Sequence, residues 1–294
     1  MTYSLAYVTA TEDLNRRLRR IHFEVPDLAR LGLPGQPDEA LGMYFPPVGT
    51  RCAPAMELRD GIWGYHDLDP APEGRNYSVR AVDHAAATMV VDFVIHAHGP
   101  ATTWAQRAEV GDAIACSHAR GWYRPPADTD WTLLVFDLAG LPAASRIVAE
   151  LDTTTAGRVT AIAEVADAED LDHFTTAPGI EVIALTGSGN GLAPSRLGES
   201  VANWSMPPGT GYCWFGGEAA QSRAVRSHFR RGHKWHHTQY DIIGYWRHNG
   251  EEWSRRYAQH GDEFLAVYQQ AIADGKGEKR AGEEFDEALE KAGL

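Results

Sequence analysis

Length, composition and charge exclude several classes of protein. The chain has 294 residues, of which 44% are hydrophobic and 23% charged, and its formal net charge is −13. The length allows one large domain or two ordinary ones, and we expect two. The acidic balance argues against nucleic acids and anionic membranes as partners, because both attract clustered Lys and Arg. No apolar run approaches the ~20 residues that span a bilayer, and no signal peptide is evident, so we expect a cytoplasmic protein.

The three cysteines are far apart in the sequence, at Cys52, Cys116 and Cys213. They form no metal-binding spacing, and their odd number argues against a disulfide framework. We therefore expect reduced and mostly buried thiols. Any anionic ligand would have to be held by a local basic pocket, because the overall charge repels it.

The first part of the chain reads as short strands separated by Gly and Pro, including "ALGMYFPP", "NYSVRAVD", "TMVVDFVIHAH" and "DAIACSH". This pattern predicts a small antiparallel barrel or sandwich. The segment "RPPADTD" (124–130) combines two prolines with turn formers and is a candidate linker. We place the first domain at residues 1–126.

After this linker, strands and helices alternate. The continuous apolar run "WTLLVFD" (131–137) is typical of a buried parallel strand, and "LPAASRIVAEL" has helical spacing. Further pairs follow and predict a parallel sheet of nucleotide-binding architecture at 127–250, with ligands at the carboxyl ends of its strands. Residues 251–294 read as a charged helical extension.

The stretch "GRNYSVR" (74–80) is the first candidate site. On a strand, Arg75 and Tyr77 point to one face and Ser78 to the other. A cation, a flat aromatic ring and a small hydroxyl are what a flavin needs for its diphosphate, its ring system and its redox-active edge. The alternative is an edge strand with no binding function.

The stretch "HAHGPATTWA" (96–105) is the second candidate. Gly99 and Pro100 end the preceding strand, and the next residues begin a helix whose first N–H groups could bind an anion. The alternative is an ordinary helix start with Thr102 or Thr103 as the capping residue.

Two glycine-containing turns belong to the parallel sheet. "FDLAGLPAAS" (136–145) has a single glycine, Gly140, and lacks both G-x-G-x-x-G and a P-loop lysine. "WFGGEAAQSRAVR" (214–226) has two glycines before Glu218 and predicts a turn that a ligand can approach closely.

"HFRRGHKWHH" (228–237) contains four histidines. His233 and His237, four residues apart, could hold a metal on a helix. Gly232 interrupts that helix and no carboxylate or cysteine stands at ligand spacing, so we interpret the segment as a basic surface and predict no metal site.

Taken together, these stretches resemble the siderophore-interacting protein family, the ferric-siderophore reductases of the ferredoxin-reductase-like superfamily. The resemblance extends from "RRIHFEV" to "GYWRHNG" and rests on the order and spacing of "RNYSVR", "VDFVIHAHGPATTWA", "VGD", "LPA", "WFGGEAAQSRAVR" and "IIGYWR". It implies an N-terminal antiparallel FAD-binding β-barrel, followed by a parallel-sheet domain that NADH or NADPH approaches.

The resemblance also implies individual roles. Arg75 would contact the FAD phosphate, Tyr77 would stack on the isoalloxazine ring and Ser78 would reach its N5 edge. The diphosphate would be surrounded by His96, Gly99, Ala101 and Thr102, with Trp104 supporting their helix, and His98 is an alternative to His96. Gly217 and Glu218 would lie in the nucleotide-domain turn, and the siderophore would meet Arg120, Lys234 and Arg247.

The function that this implies is reduction of a ferric siderophore by NAD(P)H through FAD, which releases ferrous iron. Ferric iron is held by anionic oxygens, and reduction weakens those bonds. Where the family commonly reads G-D-E-T-A-L-P-A this chain has "FDLAGLPA", with Phe136 and Ala139 at the first Gly and the Thr. Two alternatives therefore stay open: a siderophore-binding protein without efficient NAD(P)H oxidation, and a flavin reductase with another acceptor or with ferredoxin as its donor.

Overall fold

The computed structural model of the chain describes residues 2–97, 99–151, 157–248 and 250–293. In the first part of this range the strands are β1 (Ser4–Asp13), β2 (Leu18–Glu24), β3 (Ala40–Tyr44), β4 (Glu57–Arg59), β5 (Ile62–Gly64), β6 (Gly74–Ser78), β7 (Ala81–Asp83), β8 (Thr88–Val94) and β9 (Ala113–Arg120). The later strands are β10 (Trp131–Phe136), β11 (Arg158–Val165), β12 (Ile180–Thr186), β13 (Gly211–Glu218) and β14 (Tyr240–Trp246). The α-helices are α1 (Pro100–Arg107), α2 (Leu141–Glu150), α3 (Leu197–Asn203), α4 (Ala219–Ser227), α5 (Gly250–Ala273) and α6 (Gly277–Lys291).

The first seven-stranded sheet is antiparallel, with the order β6-β3-β9-β1-β2-β8-β7. Beyond β6 the Arg80 N–H donates to Val90 O of β8 at 2.8 Å, so the two ends of the sheet approach each other and it curves into a barrel. Apolar side chains of alternate strand positions fill the interior, among them Ile21, Phe23, Leu41, Val91 and Phe93. The predicted N-terminal antiparallel barrel is confirmed.

The second sheet is parallel, with the order β12-β11-β10-β13-β14. All six residues of β10 are buried, because α2 covers one face of the sheet and α3 and α4 cover the other. The strand order reverses between β10 and β13. In sheets of this kind ligands bind in the crevice outside the carboxyl ends of the strands at such a reversal. The predicted parallel-sheet domain is confirmed.

The C-terminal helices α5 and α6 form a hairpin. Between them lies a small apolar cluster that contains Trp253, Tyr257, Phe264, Phe285 and Leu289. Ion pairs attach α6 to the parallel-sheet domain: Asp286 meets Arg226 at 3.0 Å, and Lys279 meets Asp241 at 2.8 Å. Within the described part of the chain no helix is long and apolar enough to cross a bilayer. All three cysteines are unpaired, and Cys116 and Cys213 are buried while Cys52 is exposed.

Buried polar contacts join the barrel to the parallel-sheet domain. Arg146 of α2 places Nη1 2.8 Å from Glu39 Oε1 and donates to Val79 O at 3.1 Å, directly after β6. Asp38 accepts a hydrogen bond from Trp214 Nε1 of β13 at 2.9 Å. Burial raises the pKa of Asp38, although its hydrogen-bond donors act in the opposite direction. These contacts fix the end of β6 against the second domain.

Asp137 ties together the carboxyl ends of three neighbouring strands. It follows β10 and accepts hydrogen bonds from Ala139 N at 2.9 Å, Glu218 N at 3.0 Å and Trp246 Nε1 at 2.7 Å. Only 1% of its surface is exposed. Burial raises the pKa of Asp137 to about 6, while these donors favour the ionised form.

Replacing Arg146 by Met should destabilise the protein strongly, because it leaves the Glu39 carboxylate buried without its cation. Removing one partner of such a pair typically costs about 3–5 kcal/mol. Urea unfolding of both proteins measures the difference. The matched control is Arg158→Met, since Arg158 and Glu181 form an ion pair of the same 2.8 Å length with side chains 60% and 50% exposed.

The control should lose no more than about 1 kcal/mol. Adding Glu39→Gln to Arg146→Met should restore part of the loss, because a neutral amide is less costly to bury. If Arg146→Met and Arg158→Met lowered the free energy of unfolding equally, the Arg146–Glu39 pair would not be what stabilises the contact between the domains.

Asp137 should make stability depend on pH. Because its folded pKa lies above the usual value for Asp, its contribution is fully present below about pH 4 and is lost as the pH rises through about 6. A shift of roughly two units corresponds to about 3 kcal/mol. The difference in unfolding free energy between the wild type and Asp137→Asn should therefore fall by about this amount from pH 4 to pH 7. A difference that stays constant or rises would contradict the assignment.

Candidate functional site

Arg75 and Tyr77 of β6 pair with Met43 and Leu41 of β3. Because Met43 and Leu41 belong to the barrel core, Arg75 and Tyr77 lie on the core-facing side of β6. Arg75 is exposed and its Nη2 lies 2.9 Å from Glu73 Oε2. Tyr77 is half-buried, with its ring centroid 4.5 Å from that of Phe93 and 6.3 Å from that of Phe45. Burial raises the pKa of Tyr77, so its phenol is neutral at physiological pH.

Helix α1 begins beside this aromatic group. Trp104 is buried, with its ring centroid 5.4 Å from that of Phe45 and 5.7 Å from that of Phe93. The two phenylalanines therefore contact both Tyr77 and Trp104. In this way the barrel core connects the aromatic residue of β6 with the first turns of α1.

The start of α1 is built from the residues that the sequence singled out. Gly99 is the capping residue with φ 127°, a conformation that favours glycine, and Pro100 follows at the first helical position. Ala101 and Thr102 come next, where backbone N–H groups point out of the helix end. The Thr102 side chain points inward and its hydroxyl lies 3.1 Å from both the N and the O of His96. His98 lies outside the described residues.

Ser78 lies on the opposite face of β6 from Tyr77 and is buried at the boundary with the second domain. Across this boundary stands Tyr245 of β14. The Ser78 hydroxyl is close enough to lower the pKa of Tyr245, but the two groups do not reach full hydrogen-bonding geometry. Ser78 thus faces the carboxyl ends of the parallel strands.

Gly217 and Glu218 end β13 in the second domain. A side chain at Gly217 would come within 2.8 Å of the Asp137 carboxylate, so the glycine permits this close packing. Glu218 is half-buried, and burial raises the pKa of its carboxyl group. The "FDLAGLPA" turn also packs tightly, since a Cβ on Gly140 would lie 2.0 Å from Gly216 O.

Arg120 lies beside β6, whereas Arg247 lies at the carboxyl end of β14. Arg120, at the end of β9, donates to Asn76 Oδ1 at 2.5 Å. Arg247 follows β14, two residues after Tyr245, and its guanidinium carbon lies 4.3 Å from the ring centroid of Trp253. Burial lowers the pKa of Arg247, and the neighbouring Arg223 adds to this effect. Burial likewise lowers the pKa of Arg120.

Lys234 is not brought to this group. It precedes β14, whereas Arg247 follows it, and the ends of a parallel strand lie at opposite edges of the sheet. Its neighbour Trp235 has its ring centroid 5.5 Å from that of Trp131, the first residue of β10. Lys234 therefore lies at the amino edge, away from the crevice.

The histidines of 228–237 form two pairs at the same amino edge. The ring centroids of His228 and His233 are 4.7 Å apart, and those of His236 and His237 are 4.1 Å apart. Over the described ranges, no three His, Cys, Asp or Glu side chains group closely enough to hold a metal ion.

Two residues at the crevice were missed by sequence reasoning. Asp137 was read only as part of an atypical turn, although an Asp two residues before the amide it bonds is a known turn pattern. Tyr245 belongs to the apolar pattern of strand β14. That pattern does not indicate that its side chain reaches the boundary between the two domains. Only the packing of the two domains identifies it.

Comparison with known proteins agrees with this architecture. Residues 7–122 match the siderophore-interacting FAD-binding domain and residues 129–249 match the siderophore-interacting protein family. An uncharacterized protein of Mycobacterium tuberculosis is 32% identical over 199 residues, which cover 62% of this chain and 69% of that protein. The NADPH-dependent ferric-chelate reductase of Escherichia coli is 27% identical over 183 residues, which cover 62% of this chain and 68% of that protein.

A solved structure gives the same result. The crystal structure of a siderophore utilization protein from T. fusca superposes with a TM-score of 0.73 at 26% identity, covering 84% of this chain and 94% of that one. The matched ranges contain both the barrel and the parallel sheet. The chain therefore belongs to the siderophore-interacting protein family.

Proposed function

We propose that this protein is an FAD-dependent reductase that passes electrons from NADH or NADPH to ferric siderophores and releases ferrous iron in the cytoplasm. The observation that carries the proposal is the grouping around β6 of a cation, an aromatic ring, a buried hydroxyl and the start of a helix. The E. coli relative, named as an NADPH-dependent ferric-chelate reductase, supports both the reaction class and the donor. The proposal assigns FAD to residues 1–126, the nucleotide to 127–250 and a helical extension to 251–294.

The residues present fit FAD. Its diphosphate requires cations or N–H donors, and Arg75 and the first turn of α1 supply both. Gly99 carries no side chain beside this helix end, so an anion can approach the backbone. Tyr77 offers a ring that the core holds in place, and Ser78 offers a hydroxyl on the side of the second domain. Trp104 would support this arrangement from behind.

When bound, FAD would accept a hydride from the nicotinamide nucleotide and pass single electrons to the ferric iron. The chain's own residues would hold the reactants close together, and electron transfer requires no general base from them. Arg120 and Arg247 would attract the anionic chelate against the net charge of −13. Gly217 and Glu218 would line the approach of the nucleotide.

One observation favours a second candidate. Asp137 accepts hydrogen bonds from Ala139 N and Gly140 N, at 2.9 and 3.4 Å, at the start of α2. In a parallel sheet these amides are where a dinucleotide's phosphates would bind. A siderophore-binding protein without efficient NAD(P)H oxidation, or a reductase that takes electrons from ferredoxin, would fit this arrangement.

The purified protein should bind FAD with a flavin absorbance spectrum, and anaerobic NADPH or NADH should bleach it. Arg75→Met should weaken FAD binding about 10- to 100-fold, the usual effect of losing a hydrogen bond to a charged group. Titration of the apoprotein, followed by flavin fluorescence, measures this change. Arg59→Met is the matched control, since Arg59 pairs with Asp67 in the exposed β4–β5 hairpin.

Protein that takes up no FAD would end the proposal. A flavin that stays oxidised with both nicotinamides, in a protein that still binds ferric siderophores, would favour the second candidate. Bleaching by reduced ferredoxin alone would identify the donor as a protein.

Arg247→Met should raise KM for ferric chelates about tenfold and leave kcat nearly unchanged, because the cation attracts and holds the substrate. Steady-state assays with catecholate, hydroxamate and carboxylate chelates of ferric iron measure both constants. Lys234→Met is the control and should leave KM unchanged, because Lys234 lies at the other edge of the sheet. A lower kcat with unchanged KM would contradict a binding function for Arg247.

A further inference from the structure

Tyr245 reaches from the last strand of the parallel sheet toward the barrel. Its ring crosses Gly216 of the neighbouring strand β13, where a Cβ would lie 3.3 Å from Tyr245 Cζ. The ring meets that of Trp214 edge to face at a centroid distance of 6.3 Å. The glycine therefore leaves room for the phenol to extend to the domain boundary beside Ser78.

The Tyr245 hydroxyl is buried, and none of the described residues completes a hydrogen bond with it, although the Ser78 hydroxyl is close enough to lower its pKa. Such a group is uncommon, because a buried donor without an acceptor costs about 1–3 kcal/mol. Burial raises the pKa of Tyr245, and the carboxylates of Asp38 and Asp137 raise it further. The phenol consequently keeps its proton and is available as a donor.

The nearby carboxylates already accept other hydrogen bonds. Asp38 accepts from Trp214 Nε1 and from the backbone N–H groups of Trp122 and Tyr123, each at 2.9 Å. Asp137 accepts hydrogen bonds from Ala139 N, Glu218 N and Trp246 Nε1. The Ser78 hydroxyl comes near Tyr245 without completing a hydrogen bond, so the phenol can still donate to a ligand at the boundary that Ser78 faces.

We propose that the Tyr245 hydroxyl donates a hydrogen bond to the isoalloxazine ring of FAD, on the redox-active edge that Ser78 also faces. The inference rests on the proposed function and adds a flavin contact from the second domain. Reduction increases the negative charge on the ring system, so a neutral donor stabilises the reduced form more than the oxidised form. Tyr245 would thus strengthen FAD binding and raise the midpoint potential.

Tyr245→Phe tests this directly, because it removes the hydroxyl and keeps the ring. We expect FAD binding about 3- to 10-fold weaker, as for loss of one hydrogen bond. The midpoint potential should become more negative and the visible spectrum should shift. The apoprotein should unfold at the same or a higher temperature than wild-type apoprotein, because the variant removes a buried donor that has no partner.

Tyr65→Phe is the matched control. The Tyr65 hydroxyl donates to Pro54 O at 3.0 Å in the barrel, so its loss should lower stability and leave the flavin unchanged. A second variant with 3-fluorotyrosine at position 245 keeps the ring and the hydroxyl but makes the phenol a stronger donor. It should shift the potential in the positive direction, and it does not depend on whether Tyr245→Phe folds.

The outcomes separate the two proposals. If the wild type binds no FAD, the proposed function and this inference both fail. If the wild type binds FAD but both variants retain its affinity, spectrum and potential, only the inference is overturned. A Tyr245→Phe apoprotein that is less stable, with an unchanged flavin, would assign the hydroxyl to a buried water instead.

Discussion

The candidate site depends on the buried hydrogen bonds that hold the end of β6 against the second domain. Arg146 binds both the Glu39 carboxylate and the Val79 carbonyl, directly after Ser78. Because these groups are buried, they have lost their hydration, and only their partners compensate for that loss. The position of Ser78 relative to the carboxyl ends of the parallel strands follows from this requirement.

A second set of contacts organises the other side of the crevice. Asp137 joins the ends of β10, β13 and β14, and through Trp246 it fixes the segment that carries Arg247. The same carboxylate accepts from the amides of Ala139 and Gly140 just before α2, so one side chain shapes this turn and also occupies amides to which a nucleotide phosphate could bind. The proposed reductase requires a nicotinamide nucleotide to bind beside Asp137, whereas the alternative siderophore-binding protein does not.

Much of the architecture could be predicted because it depends on local patterns. The apolar run of β10 and the alternation of strands and helices indicate a parallel sheet covered on both faces, and short strands separated by Gly and Pro indicate the barrel. Gly99 and Pro100 identified the start of α1 in the same way.

Tyr245 and Arg146 could not be found by such reasoning, since their importance depends on contacts between residues more than 60 positions apart. The family resemblance places Lys234 together with Arg247, but strand β14 separates the two positions by its full length.

The buried contacts between the domains also bear on how ligands enter and leave. Swinging the barrel away from the sheet would break the Arg146 interactions and expose Trp214 and Asp38. If that opening costs about 4 kcal/mol, about one molecule in a thousand is open at any moment. Exchange of reactants should then proceed without separation of the two domains, with little change in the distance between donor and acceptor during turnover. A frame of this kind suits electron transfer, whose rate depends steeply on distance and on how little the surroundings must rearrange.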